Sequence, residues 1–201
     1  MEKNLIIFIK NPVLGTVKTR LAKSIGDPLA LEVYKDLMCK CREETMAVDA
    51  SRYLFYSNRI TNDEWPKNSF IKFLQDGGDL GNRINSAFYA VQEGKENKTL
   101  IIGSDCFDLT TELIEEAFEK LNNVDLVIGP ANDGGYYLLG TKKYHPFLFE
   151  NISWSTPSVF FETINKAKKN NLSFSSLIEL VDIDTLEDLN QSSYDLTQIK
   201  K

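Results

Sequence analysis

Short apolar runs alternate with amphipathic stretches along this chain. Residues 5–9 are continuously apolar and rich in β-branched side chains, the mark of a strand buried on both faces of a parallel sheet. A polar loop, residues 10–21, follows. Asp27 as N-cap and Pro28 in the first turn then predict a helix, in which Leu29, Val33, Leu37 and Cys41 recur every four residues. Residues 53–56 and 70–74 read as the second and third strands. Leu80, Ile84, Ala87, Phe88 and Val91 form a helical stripe that Gly94 ends, and residues 99–102 make a fourth strand. Thr110 or Thr111 caps the next helix, whose Leu113, Ala117 and Leu121 face inward.

Residues 125–128 and 136–139 are two further strands joined too closely for a parallel crossover, so one antiparallel strand is expected. Thr156-Pro157 opens a helix to about Lys169, residues 177–183 read as the last strand, and residues 186–190 as a short helix. No linker, repeat or low-complexity tract interrupts the alternation. The expectation is one domain over residues 1–201: a three-layer α/β/α sandwich on a mixed, mostly parallel sheet, with ligands at the carboxyl ends of its strands.

Composition narrows the chemistry. With 201 residues, 42% of them hydrophobic, the core needs neither disulfides nor a structural metal. The net charge of −6 opposes a nucleic-acid role, so any phosphate binding is local. The first apolar run stops at Lys10, too short for a signal peptide or a membrane span, and the chain reads as cytoplasmic. Three cysteines, Cys39, Cys41 and Cys106, suggest reduced thiols without catalytic duty, and a zinc site lacks ligands. The lone histidine, His145, precedes Pro146 and reads as a loop residue.

Five segments carry candidate chemistry. The loop after the first strand holds Lys10, Gly15, Lys18, Thr19 and Arg20, a polyanion cradle in which Gly15 permits a turn; it is not a Walker A loop, because Pro12 and Val17 stand where glycines are needed. Residues 75–83 offer Gly77 and Gly78 for close approach of a nucleobase and Arg83 for phosphate, beside the plainer reading of a tight turn capped by Asp79. Asp105, after the strand at 99–102, suits a hard ligand for Mg²⁺ or Mn²⁺, whereas Asp108 also suits support of a helix start. Asp184 or Asp182 is the second ligand, with a helix cap as the alternative for Asp184. In residues 129–140, Gly134, Gly135 and Asp133 join two strands, with Tyr136 beyond them.

Together with the Ile152–Thr156 segment that contains Trp154, these motifs resemble the bacterial glycosyltransferase-like proteins associated with radical-SAM and selenium-domain genes. That family lies in the nucleotide-diphospho-sugar transferase superfamily, of GT-A fold. More distant similarity links the chain to 2-phospho-lactate guanylyltransferase and molybdenum-cofactor nucleotidyltransferases. The resemblance implies a seven-stranded sheet in order 3-2-1-4-6-5-7, a nucleotide at the first loop and a divalent metal on Asp105. Phe107 departs from a pattern that more often has proline there.

The leading expectation is a metal-dependent glycosyltransferase using a nucleotide sugar and a small acceptor. Asp133 would be the base, Lys18 and Arg20 would stabilise the leaving diphosphate, and Gly134, Gly135, Tyr136 and Trp154 would line the acceptor side. The alternatives are a nucleotidyltransferase, joining NMP from an NTP to a phosphorylated small molecule with loss of pyrophosphate, and a non-catalytic nucleotide-binding regulator.

Overall fold

The computed structural model of the chain describes residues 1–92 and 94–198. The first apolar run becomes β1 (Lys3–Ile9), flanked in parallel by β2 (Ser51–Tyr56) and β4 (Lys98–Ile102). Leu5, Ile6 and Ile7 are wholly buried, as a central strand covered on both faces requires. β3 (Ile71–Leu74) continues the sheet beyond β2. On the other side β6 (Tyr136–Thr141) runs antiparallel between β4 and β5 (Leu126–Pro130), and β7 (Phe174–Ser176) lies parallel to β5. The order is β3-β2-β1-β4-β6-β5-β7, so the seven-stranded, mostly parallel sheet and its one antiparallel strand agree with expectation.

Helices cover both faces. Cys41 of α2 (Asp27–Ala47) and Ile114, Ala117 and Phe118 of α4 (Thr111–Lys120) pack with Leu5, Ile7, Leu100 and Ile102. Ile84, Ala87 and Phe88 of α3 (Leu80–Gln92) and Ile164 and Ala167 of α5 (Val159–Lys169) pack with Ile6, Ile101, Ile128 and Leu139. A third cluster, including Leu21, Val33, Leu37, Ile183 and Leu189, gathers α1 (Thr19–Ile25), α2 and α6 (Leu186–Gln191). Among the described residues, no helix is long and apolar enough to cross a membrane.

Four local readings are corrected. The second half of the first loop is helical: α1 begins directly after Lys18 and ends at Gly26, whose positive φ of 83° separates it from α2. Gly26, not Asp27, is therefore the N-cap of α2, with Pro28 in its first turn. α5 starts at Val159 rather than Thr156, because the Thr156 hydroxyl is committed to the Ser153 carbonyl at 2.6 Å and the preceding Ser155 is left-handed, with φ 63°.

The last strand is β7, earlier than residues 177–183. Beyond Leu177, whose N–H still donates to the Ile128 carbonyl at 2.9 Å, the Tyr137 hydroxyl donates to the Ile178 carbonyl at 3.0 Å, Ile178 turns outward, and pairing resumes at Leu180 beside Ala131. The segment then runs on to the carboxyl end of β4, where the Ile183 N–H donates to the Asp105 carbonyl at 3.1 Å.

α6 is capped by Thr185, whose hydroxyl accepts from Asp188 N–H while the Asp188 carboxylate accepts from Thr185 N–H at 2.8 Å. The helix-cap alternative for Asp184 is thereby removed. Thr185→Ala should lower stability by about 1 kcal/mol, read as a lower urea midpoint at unchanged m-value. An unaltered midpoint would show that the capping box contributes nothing.

Candidate active site

The loops leaving β1 and β4 are tied together by one buried phenol. Tyr34 of α2 accepts from Lys10 N–H at 2.7 Å, donates to the Lys10 carbonyl at 3.1 Å and lies 3.3 Å from Ser104 Oγ. It fixes the start of the first loop against the residue preceding Asp105. Buried Asn11 extends the brace: its carboxamide accepts from the N–H groups of Asn58 and Arg59 and donates to the Arg59 carbonyl at 2.9 Å. Gln75 Nε2 donates to the carbonyls of Ile9 and Phe55, closing the ends of β1 and β2.

Gly15 turns the first loop with φ 75°, and Lys18 directs it into α1 from a left-handed backbone, φ 48° and ψ 41°. The Lys18 ammonium is buried, 2.6 Å from Asp105 Oδ1 and 3.4 Å from Asp184 Oδ1, with its side chain only 3% exposed. It does not lie open to solvent as a free phosphate ligand. Burial disfavours its charge, but Asp105, Asp182 and Asp184 outweigh that and hold its pKa above the ordinary lysine range. Arg20, on α1, is 69% exposed and reaches Asp184 only at 3.6 Å. Thr19 is the first residue of α1 and is exposed. Lys10 is also exposed, and Lys10, Arg59 and Arg83 have no carboxylate partner among the described residues.

Asp182 joins this group. Its Oδ1 is buried without a hydrogen-bond partner, and burial followed by the Asp105 charge pushes its carboxyl well above the usual carboxylate range. Asp105 and Asp184 thus hold one ammonium between them, with the Asp182 carboxyl buried nearby and Arg20 loosely alongside. Among the described residues no three His, Cys, Asp or Glu side chains form a ready ligand set; Lys18 is in contact with two of the carboxylates instead. The donor chemistry nevertheless fits a divalent cation: carboxyl oxygens from Asp105, Asp182 and Asp184, and an unpartnered buried oxygen on Asp182.

The other segments divide. Asp79 caps α3 through Asn82 N–H at 2.8 Å. A side chain at Gly77, where φ is 115°, would strike the Asn82 backbone, so this glycine serves the turn, whereas Gly78 faces more open space. Arg83 sits in the first turn of α3. Gly134 is required by the chain itself, since a Cβ there would lie 2.2 Å from the Pro157 carbonyl oxygen. Asp133 Oδ1 accepts from Gly135 N–H at 2.8 Å, closing the same turn. Trp154 rests edge-on to Tyr136 with ring centroids 6.4 Å apart, and its indole lies so close to Gly81 that a Cβ there would be 2.0 Å from Nε1. The Trp154 segment and the residues 75–83 segment are therefore one surface.

Asp108 supports no helix start; its carboxylate accepts from Ser193, and Thr110 caps α4. Phe107 meets Tyr194 edge-on at 5.1 Å, so the departure from proline provides a dock for the segment after α6. Burial raises the thiols of Cys41, to about 12, and Cys106, so neither is poised as a nucleophile. His145 lines a hollow with Met1, Asp125 and Lys142 at the amino ends of the strands, away from this group.

Residues 41–156 match the family described as "Uncharacterized protein conserved in bacteria (DUF2064)". The chain belongs to DUF2064. This DUF2064 chain is 31% identical over 196 residues to the 2-phospho-L-lactate guanylyltransferase of Methanocaldococcus jannaschii, covering 92% of the chain and 80% of the relative. A Desulfovibrio desulfuricans G20 structure, described as a nucleotide-diphospho-sugar transferase, superposes with a TM-score of 0.88 at 30% identity, over 94% of this chain and 86% of the other. The inositol-1-phosphate CTP transferase of T. maritima shares the fold, with a TM-score of 0.58 at 16% identity, over 97% and 94%. The fold is that of the nucleotide-diphospho-sugar transferase superfamily.

Tyr34, Asn11 and Gln75 are absent from the sequence-based site, although Tyr34 stands on the buried stripe of α2 and the amides flank the glycine loops. Two outcomes test the geometry. Asp105→Asn removes the charge 2.6 Å from the buried ammonium and should cost about 3 kcal/mol of stability; an unchanged urea curve would show that the pair stores none. Gly81→Ala should displace the indole and cost about 1–3 kcal/mol, read as a changed Trp154 fluorescence over that of buried Trp65. An unchanged spectrum and melt would contradict the packing.

Proposed function

We propose that this chain is a nucleotidyltransferase, joining a nucleoside monophosphate from an NTP to the phosphate of a small molecule and releasing pyrophosphate. The observation that carries the reading is the guanylyltransferase kinship across nearly the whole chain. It favours the alternative drawn from the sequence over the first expectation of glycosyl transfer. GTP is the donor and a phosphorylated 2-hydroxy acid the acceptor class that this kinship suggests.

In the reaction an acceptor phosphate oxygen forms a bond to the α-phosphorus as the bond to the bridging α–β oxygen breaks, and pyrophosphate carries away the electron pair. The attacking oxygen is already anionic, so no general base is needed. Asp133, whose Oδ1 is engaged by Gly135, is thereby relieved of the base role. Lys10 and Arg20, both exposed, and Arg83, half-buried without a carboxylate partner among the described residues, lie in segments after parallel strands and bind and orient the phosphates. Gly78 gives the nucleobase access to backbone, and Tyr136 and Trp154 wall the acceptor side. Asp105 and Asp184, with Asp182 beside them, would hold Mg²⁺ or Mn²⁺. An ion held by these residues would supply positive charge against the triphosphate and the leaving pyrophosphate.

GTP with 2-phospho-L-lactate and Mg²⁺ should yield pyrophosphate and a new phosphoanhydride bond between the acceptor phosphate and GMP, whereas a nucleotide sugar should yield no glycosyl product. Arg20→Ala should weaken GTP binding about tenfold, or ~1.4 kcal/mol, with the melt unchanged. Glycosyl transfer without pyrophosphate formation from any NTP would overturn the reading.

A further inference from the structure

We propose that Lys18 is the resident counter-ion of the cation seat: its ammonium stands in for the metal in the empty enzyme and must leave the carboxylates before a divalent ion can use them. The inference rests on the nucleotidyltransferase reading, but concerns how the empty site is held.

Four observations support it. The ammonium touches Asp105 and Asp184, the two carboxylates assigned to the ion, at 2.6 and 3.4 Å. Its side chain is almost wholly buried, while neighbouring Arg20 and Lys10 remain accessible for phosphates. Its backbone is held in the left-handed region, which a residue with a β-carbon adopts at a cost, and the side chain makes no cap for α1. Finally, one ammonium is shared between the Asp105 and Asp184 carboxyl groups, and the neighbouring Asp182 Oδ1 lacks any partner.

Oxygens that bind an ammonium at these distances cannot also coordinate a metal in the same place, and two cations there repel. The flexible lysine stem allows the ammonium to leave without moving α1. Triphosphate oxygens then offer it a new partner. Cation alone should bind weakly, and cation and nucleotide should each raise the other's affinity because the nucleotide receives the displaced charge.

Lys18→Met keeps the length of the side chain and removes its charge. Calorimetry with Mn²⁺ alone, on nucleotide-free protein, should show at least about tenfold tighter binding to Lys18→Met than to the wild type. Binding no tighter in the variant would overturn the counter-ion role while leaving the metal reading intact. Mn²⁺ that binds neither protein, even with GTP present, would overturn the cation seat itself. If the variant fails to fold, reductive methylation of the wild type decides. Lys18 should be protected without metal and modified faster at a Mg²⁺ concentration shown by calorimetry to saturate, whereas equal modification would overturn the proposal.

Discussion

Everything at the carboxyl end of this sheet is arranged around one buried positive charge. An ammonium with so little contact with water is tolerable only among carboxylates, and carboxylates so close together are tolerable only around a cation. Lys18 and its partners come from three distant stretches of chain, so the pair interaction also dictates tertiary structure. Residue 18 must follow β1, residue 105 must follow β4, and residues 182–184 must return across β5 to meet them. The backbone hydrogen bond from Ile183 to Asp105 and the phenol of Tyr34 hold those three stretches at fixed separations.

That arrangement separates stability from binding within a few residues. Lys18 and Asp105 form a buried pair that serves the fold, whereas Arg20 is only loosely paired and Lys10 and Arg83 have no carboxylate partner among the described residues. The overall charge is −6, yet these cations at the ligand end lack strong acidic partners. The proposed nucleotide would therefore meet local positive charge on an otherwise acidic molecule, without the broad basic face that nucleic acid needs. Trp154 packed against Gly81 joins the glycine turn before α3 to the loop before α5. A change in either segment is thus felt by the other.

Much of the fold was legible because periodicity reports burial. Residues 5–9 and the stripe of α3 are apolar where a two-faced strand and an amphipathic helix must be, and both elements formed there. α1 was obscured because its seven residues contribute a single fully buried side chain, Leu21, although Gly26 was an available stop signal. The run at 177–183 is apolar enough for a strand, but tertiary contacts overrode the pattern: Tyr137 takes the Ile178 carbonyl that a ladder would use. For the site, residue chemistry indicated Asp105, Asp184 and the basic loop. It could not indicate that Lys18 turns inward onto the acids, since that depends on a left-handed backbone and on long-range proximity. Nor does an isolated glycine disclose its purpose; Gly134 accommodates Pro157, and Gly77 accommodates Asn82.

The relation between this charge cluster and nucleotide chemistry is open to direct observation. The decisive measurement is the anomalous scattering of Mn²⁺ in crystals grown with a non-hydrolysable GTP analogue. The expected map has the ion between Asp105 and Asp184, in contact with the triphosphate, and the Lys18 ammonium moved from Asp105 onto phosphate oxygen. An ion bound elsewhere, with Lys18 still paired to Asp105 and the nucleotide away from the loop after β1, would contradict it.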